Sequence, residues 1–465
     1  MSATAIPPPP LPGQAAAPSL VTAPILPALL RFALPNMVAM LATALAAVAE
    51  TAYVGSFGVP SLAGMALVFP MVMLQMMLSG GAMGGGVSSA ISRALGAGKP
   101  ERANALAVHA LWIGLAAGAV NCLLMLVCGP AIYAGLGGRG EALAQAIAYS
   151  NVAFCGSLGV WLLNTFASVL RGAGNMLVPS ATFLMVSLAQ GVIGGALGLG
   201  WGPLPRLGMP GVAAGQIIAF SAGAVFLFWY LRSGRSKLSL SIRDTPLQRD
   251  LLADILKVGA LACISPLQTV LTVLILTRLV AQFGATALAG YGIGARLEFL
   301  LIPISFAIGV ASVPLVGMAI GAGMVARAKR VAWIAALLAT AVLGLLGGVV
   351  AIAPGLWVDL FMLDPAVQAS AGLYFLWAGP VYGFFGLGLS LYFSALGAGK
   401  VGGLVLAGTF RLAIVAIGGW ALLQASTEPW TVFALVALGM AAFGLAAALA
   451  VRVTRWGDEG LRATR

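Results

Sequence analysis

Read as a pattern of apolar and polar positions, the chain is a succession of long apolar runs separated by short polar or glycine-rich connections. A helix takes about 20 residues to cross the hydrocarbon of a bilayer, and the runs provide for twelve. Helix 1 is predicted from about 27 or 35 to 55, helix 2 over 61–95, helix 3 over 102–128, helix 4 over 141–170, helix 5 over 178–199 and helix 6 over 211–230. Helices 7 to 12 are predicted over 253–283, 287–319, 328–353, 366–396, 402–423 and 430–451. The period-two alternation of a membrane barrel is absent, so the backbone must be satisfied inside helices. The expected fold class is an all-α integral membrane protein.

The pattern is written twice. Phe57-Gly58-Val59-Pro60-Ser61-Leu62-Ala63-Gly64 is echoed 226 residues on by Phe283-Gly284-Ala285-Thr286-Ala287-Leu288-Ala289-Gly290. Ala94-Leu95-Gly96-Ala97-Gly98 is echoed by Ala319-Ile320-Gly321-Ala322-Gly323, and Val169-Leu170-Arg171-Gly172-Ala173-Gly174 by Ser394-Ala395-Leu396-Gly397-Ala398-Gly399, each 225 residues on. Three echoes in order at a nearly constant offset indicate duplication of about half the chain. Each half holds six spans, an even number, so both enter the membrane in the same orientation. Two six-helix bundles related by a pseudo-two-fold axis along the membrane normal follow from that. The division expected is a disordered cytoplasmic tail over 1–24, a first bundle over 25–231, a cytoplasmic linker over 232–250, a second bundle over 251–452 and a cytoplasmic tail over 453–465. The copies differ at one chemically loaded position, where Glu50 of the first corresponds to Leu276 of the second.

Composition removes the soluble alternatives. The chain of 465 residues is 61% hydrophobic and 8% charged, against about 25% charged in a soluble domain, and its mean hydropathy is +1.05. The net charge of +12 would fit a nucleic-acid partner, but its distribution does not. Eighteen of the 24 Lys and Arg residues fall in segments of one side, among them Arg93, Lys99, Arg102, Arg171, Arg232, Arg243, Arg327, Lys400, Arg455, Arg462 and Arg465, whereas Arg139 and Arg206 fall in loops of the other. That is the positive-inside bias, and it puts both termini in the cytoplasm. No nucleic-acid partner is expected; the partner expected is the bilayer, and the chain is expected to be a monomer. Cys122, Cys128, Cys155 and Cys263 lie in or at the ends of spans without metal-ligand spacing, and His109 is the one histidine, so neither a metal nor a cofactor is expected. The uncharged, Pro- and Ala-rich start lacks the basic region of a signal peptide.

Three stretches resemble the multidrug and toxic compound extrusion (MATE) family. They are Leu34-Pro35 followed by Ala49-Glu50-Thr51-Ala52-Tyr53-Val54-Gly55, the loop from Ser92-Arg93-Ala94-Leu95-Gly96 through Lys99-Pro100-Glu101-Arg102, and Leu170-Arg171-Gly172-Ala173-Gly174-Asn175 with Pro179. The resemblance extends over about 29–452 and implies an antiporter that exports organic compounds in exchange for H⁺ or Na⁺. Several positions depart from the family's pattern. The first-helix acid, usually Asp, is Glu50; the Asn and Asp of helix 5 become Gln190 and Gly194; and a Thr near the start of helix 6 becomes Gln216. The acids that another branch carries in helices 7 and 10 have no counterpart, so the chain looks more like the DinF-like branch with a reduced site.

An ionisable group within a span costs roughly 2.5–3.5 kcal/mol on insertion scales, which makes each a candidate for function. Glu50 lies five residues before Gly55, about 7–8 Å from the outer end at 1.5 Å per residue. Gln216, Asn151 and Gln190 fall at comparable depth, so all four are expected to line one ion-coupling pocket; Asn164 is a further, deeper candidate and ranks below Asn151. A desolvated carboxyl is suited to taking up and releasing a proton near neutrality, although a structural Glu bonded to a neighbouring amide has the same sequence signature. Ionised Glu50 would attract a cationic substrate or Na⁺, and protonation would release it. For the substrate cavity the candidates are Glu298 and Arg296 of helix 8, Tyr374 and Trp377 of helix 10, and Gln75 and Met76 of the methionine-rich helix 2. Glu298 and Arg296, two residues apart, point to different faces, and a structural lock between helices is as good a reading of them. His109 is expected to pack through hydrogen bonds near the cytoplasm.

The reading adopted is a secondary antiporter of small, cationic or amphiphilic compounds working by alternating access. A flippase for a lipid-linked oligosaccharide would need several intramembrane cations for the pyrophosphate, and a membrane-embedded enzyme would need paired acids or a nucleophile beside a base. The Gly-rich phosphate loop of a nucleotide-driven pump does not occur.

Overall fold

The computed structural model describes residues 20–238, 240–242, 245–361, 364–424 and 428–457. Of the two expected tails, 1–19 and 458–465 lie outside these residues, as do Arg243, Arg462 and Arg465. Among the described residues there is no strand. The spans are α1 Ile25–Gly55, α2 Val59–Gly96, α3 Pro100–Gly135, α4 Gly140–Cys155 plus Ser157–Gly172, α5 Leu177–Leu199, α6 Met209–Arg232, α7 Arg249–Ala281, α8 Ala285–Gly321, α9 Val325–Ile352, α10 Pro365–Gly397, α11 Gly402–Gln424 and α12 Pro429–Val453. Among the described residues eleven are long and apolar enough to cross a membrane, and the two parts of α4, bent by 46° at Gly156, make a twelfth when taken as one span.

The interruptions within spans have local causes. In α2, Met77–Met83 widens into a π-helical segment, where the Asn164 Nδ2 amide of α4 donates to Ser79 Oγ at 3.1 Å and Ser79 Oγ donates to the Gln75 carbonyl at 2.7 Å. A Cβ on Gly80 would land on Asn164, so the glycine is what lets the two helices meet there. In α7 the break at Cys263 precedes Pro266, whose missing N–H leaves the Ala262 carbonyl without its helical donor. The Tyr392 hydroxyl of α10 fills that vacancy at 3.1 Å. The carbonyl at the π segment is thus served by Ser79 of its own helix, held by Asn164 of α4, and the one at the α7 break by a side chain of α10, as backbone away from water requires.

The duplication is visible as symmetric packing at the end that carries the basic loops. A Cβ on Gly96 of α2 would strike the backbone of Met318 in α8, and a Cβ on Gly321 of α8 would strike the backbone of Arg93 in α2. Those four residues are two pairs of repeat equivalents, so the pseudo-two-fold axis passes between α2 and α8 here. Around it the bundles are fastened together. Ser89 Oγ donates to the Gly397 carbonyl at 3.0 Å, Gly86 backs onto Gly259, and Asp254 of α7 holds Arg93 at 2.7 Å and Arg102 at 3.1 Å. One buried cluster joins Leu29, Phe32 and Ala33 of α1 to Ile308, Ala311 and Val316 of α8. His109 has the hydrogen-bonded packing expected of it: Nδ1 donates to the Ala105 carbonyl at 2.7 Å, and Nε2 accepts the Gln248 N–H of the linker at 2.8 Å. Farther along the same two helices, Phe69 of α2 meets Phe299 of α8 edge-on at 6.4 Å between ring centroids.

Candidate functional site

Three groups of polar side chains lie within the spans. The first belongs to the first bundle. Glu50 of α1 is 4% exposed and accepts a hydrogen bond from Gln190 Nε2 of α5 at 2.7 Å. The buried Tyr149 of α4 lies within electrostatic range of the same carboxyl. Gln190 suits a carboxyl that changes protonation state, because its amide carries both a donor for the carboxylate and an acceptor for the acid.

The remaining members of the expected pocket fare differently. Gln216 is buried on α6, but among the described residues Glu50 has the one hydrogen-bond partner, Gln190. Asn151 is exposed and does not join the pocket. It precedes the bend at Gly156, and on that half of α4 the inward face is taken by Tyr149, Ser150, Ala153 and Phe154. Asn164, ranked below it on depth, is the buried one, and it serves the π segment of α2 through Ser79 while also donating to its own Val160 carbonyl at 3.0 Å. Gly194, which stands where the resemblance has an acid, is a helix-crossing point: a Cβ on Gly215 of α6 would land on the Gly194 backbone. A carboxylate at 194 would have to fit where the chain uses close approach instead.

The second group lies in the second bundle. The Tyr374 hydroxyl of α10 donates to Glu298 Oε1 of α8, and Gly294, one turn before Glu298, leaves the room its ring needs. Tyr291 meets Tyr374 edge-on at 5.6 Å, and Arg411 of α11 lies within electrostatic range of Glu298. Arg296 does not belong to this group. It is exposed and sits over the Phe361 ring at 5.2 Å, on the face its two-residue offset from Glu298 requires. Trp377, 38% exposed, stacks on Trp430 at 5.6 Å away from the interior.

The third is a small cavity between the bundles, about 100 Å³ in volume, which in this arrangement is tighter than the roughly 300–1,000 Å³ of a small-molecule site. Its wall is made by Met77 and Gly81 of the π segment, Gln268 and Thr272 of α7, Phe306 of α8, Phe385, Tyr392 and Phe393 of α10, Arg411 of α11 and Phe443 of α12. Of the substrate-cavity residues read from the sequence, none is on this wall. Tyr374 and Glu298 lie behind it, Gln75 is buried one turn before Ser79, and Met76 packs against the first-bundle core while Met77 turns to the cavity. Gln268, Thr272 and above all Arg411 were missed, although an arginine inside span 11 is the same signal that singled out Glu50.

Comparison with known proteins agrees with the repeat. The family model described as MatE matches residues 35–194 and again 262–420. The chain is 29% identical over 350 residues to a probable multidrug resistance protein NorM of Thermotoga maritima, covering 73% of each chain. It is 24% identical over 311 residues to an FAD transporter of Shewanella oneidensis, covering 67% of this chain and 69% of that one. Its fold matches a solved outward-facing conformation of a multidrug resistance MATE family transporter of the MOP superfamily, with a TM-score of 0.85 at 22% identity over 94% of this chain and 97% of the other.

Proposed function

The chain belongs to the MatE family of multidrug efflux transporters, and from that membership we propose that it is a secondary antiporter that exports small amphiphilic organic compounds in exchange for H⁺. It is a multi-pass membrane transporter and not an enzyme. The observation that supports the proton is the buried pair of Glu50 and Gln190. One carboxyl with one amide partner is enough to hold and release a proton, whereas Na⁺ takes more oxygen ligands.

Antiport requires that proton occupancy and substrate occupancy disfavour each other. Glu50 is not on the wall of the central cavity, so direct displacement of substrate by charge does not supply the coupling. In this reading the two sites communicate through the arrangement of the bundles. Ionised Glu50, buried, is costly unless water or Gln190 serves it. Protonation removes that cost and with it the preference for the arrangement in which the pocket is wetted, while substrate in the cavity favours the opposite arrangement.

The basic end is assigned to the cytoplasm of a bacterial inner membrane, with both termini on that side. On that assignment, the close packing of α2, α7 and α8 at the basic end supports reading this arrangement as closed to the cytoplasm. No second subunit is required by the cycle, and the working unit is taken as the monomer. The test is reconstitution into proteoliposomes with H⁺ and Na⁺ gradients imposed separately and a panel of cationic and anionic aromatic dyes outside and inside. Uphill movement under the H⁺ gradient is expected. Uphill movement under neither would end the antiporter reading.

A further inference from the structure

The geometry points to an organic anion as the substrate of the central cavity: an aromatic or otherwise apolar scaffold bearing a carboxylate or sulfonate that Arg411 recognises. This departs from the expectation of a cationic substrate, and it rests on the transporter reading while adding the charge of what is carried.

Four observations carry it. Arg411 is the one charged residue on the cavity wall. It is 9% exposed, and among the described residues its guanidinium has no hydrogen bond and no ion pair within 4 Å, although a buried arginine has five donors to satisfy. Its guanidinium lies over Phe385 at 5.5 Å and Phe443 at 5.9 Å, both also on the wall, so cation–π attraction fixes the group between two rings facing the cavity. Its counter-charge, Glu298, stands behind the wall and takes the Tyr374 hydroxyl instead of closing onto the arginine.

The physical consequence concerns sign. In a cavity walled by Phe306, Phe385, Tyr392, Phe393 and Phe443, little solvent screens a charge, and a cationic ligand meets a like charge that the protein has fixed in place. A carboxylate or sulfonate meets a planar fork able to give two parallel charge-assisted hydrogen bonds, the strongest pairing the side-chain set offers. The aromatic wall accepts the rest of the ligand by burial of apolar surface. An intramembrane arginine that faces a cavity with donors to spare is thus placed to bind, and Glu298 at a distance lowers the cost of keeping it charged.

The alternative is that Arg411 serves only as the structural counter-ion of Glu298. Equilibrium binding to the purified full-length protein, measured with 2-naphthoate and 2-naphthylmethylamine as probes of one scaffold and opposite charge, separates the two without any ion gradient. The wild type is expected to bind 2-naphthoate at least tenfold more tightly than the amine. Arg411→Gln should bring the two within about twofold of each other, Arg411→Lys should keep part of the preference, and Glu298→Gln should keep it whole. Should Arg411→Gln fail to fold with Glu298 left alone, the double variant Arg411→Gln/Glu298→Gln removes both charges and should show the same loss. Equal or reversed preference in the wild type, binding of neither probe, a preference that survives removal of Arg411, or one abolished by Glu298→Gln would each overturn the proposal. None of these outcomes bears on whether Glu50 couples transport to H⁺, which is read from gradient-driven movement.

Discussion

Asp254 at the start of the second bundle holds Arg93 of the first at 2.7 Å, and it reaches Arg102 at 3.1 Å with its other oxygen. One carboxylate therefore clasps two helices of the opposite bundle at the end where α2 and α8 cross most closely. The side chains of Arg93 and Asp254 are 19% and 29% exposed, so solvent screens the pair and its contribution is about 1 kcal/mol. A change of that size is roughly fivefold in a two-state population. Asp254→Asn should accordingly enlarge the fraction in which the basic ends are apart. Spin labels at Lys99→Cys and Arg330→Cys report that distance by pulsed electron resonance, and an unchanged distribution would show that the glycine packing alone holds the closure.

The imidazole of His109 is one anchor of the linker, beside the buried Leu238 and Leu240. His109→Ala removes the acceptor of the Gln248 N–H, leaving the linker's last turn into α7 without its anchor at a cost of about 1–3 kcal/mol. Trypsin should then cut after the exposed Arg249 several-fold faster in detergent solution. A cutting rate equal to wild type would mean that the hydrogen bond does not hold the linker.

Gly215 is the tightest test of the α5–α6 crossing. Alanine there would force its Cβ into the Gly194 backbone, with an overpacking cost of about 1–3 kcal/mol. Gln190 lies one turn along the same helix, so the displacement should also loosen its contact with Glu50. Gly215→Ala is expected to unfold at lower temperature and to shift the pH dependence of transport, whereas Gly191→Ala, where a Cβ meets nothing within 4 Å, should change neither. Equal behaviour of the two variants would contradict the crossing as the support of the site.

The sidedness assignment has its own check. Single cysteines at the exposed Arg139 and Arg235, in a background without the four native cysteines, are labelled in intact cells with an impermeant maleimide. Labelling at 139 and protection at 235 is expected. The reverse would invert the orientation and place the closed end outside.

Much of this architecture was legible because its causes are local or periodic. Apolar length announced the spans, and the repeated glycine turns announced the symmetry. Gly96 and Gly321 are repeat equivalents in the sequence before they are neighbours in space. Glu50 and Gln190 were legible as members of a four-residue pocket, because polar groups at matching depth in apolar helices have few partners except each other, but their direct pairing comes from the structure. Asn151 was misplaced because depth alone does not choose a helix face: on its half of α4 the inward face falls to Tyr149, Ser150, Ala153 and Phe154. The cavity was the least legible part. Its wall mixes Met77 with aromatics from α8, α10 and α12, and ordinary core residues have the same composition. Arg411 was readable in principle as a charge within an apolar span, but its standing between Phe385 and Phe443 comes from tertiary packing alone.

The most direct test of the central claim is gradient-driven transport by Glu50→Gln in proteoliposomes, after folding has been matched to wild type by size exclusion and thermal unfolding. Glutamine keeps the hydrogen-bonding shape and mimics the protonated acid, so a well-folded protein that no longer moves dye uphill under an imposed H⁺ gradient at any pH is expected. Glu50→Asp, with the charge on a shorter arm, should keep part of the activity with a displaced pH optimum. Uphill export by folded Glu50→Gln at the wild-type rate across the same pH range would contradict the account.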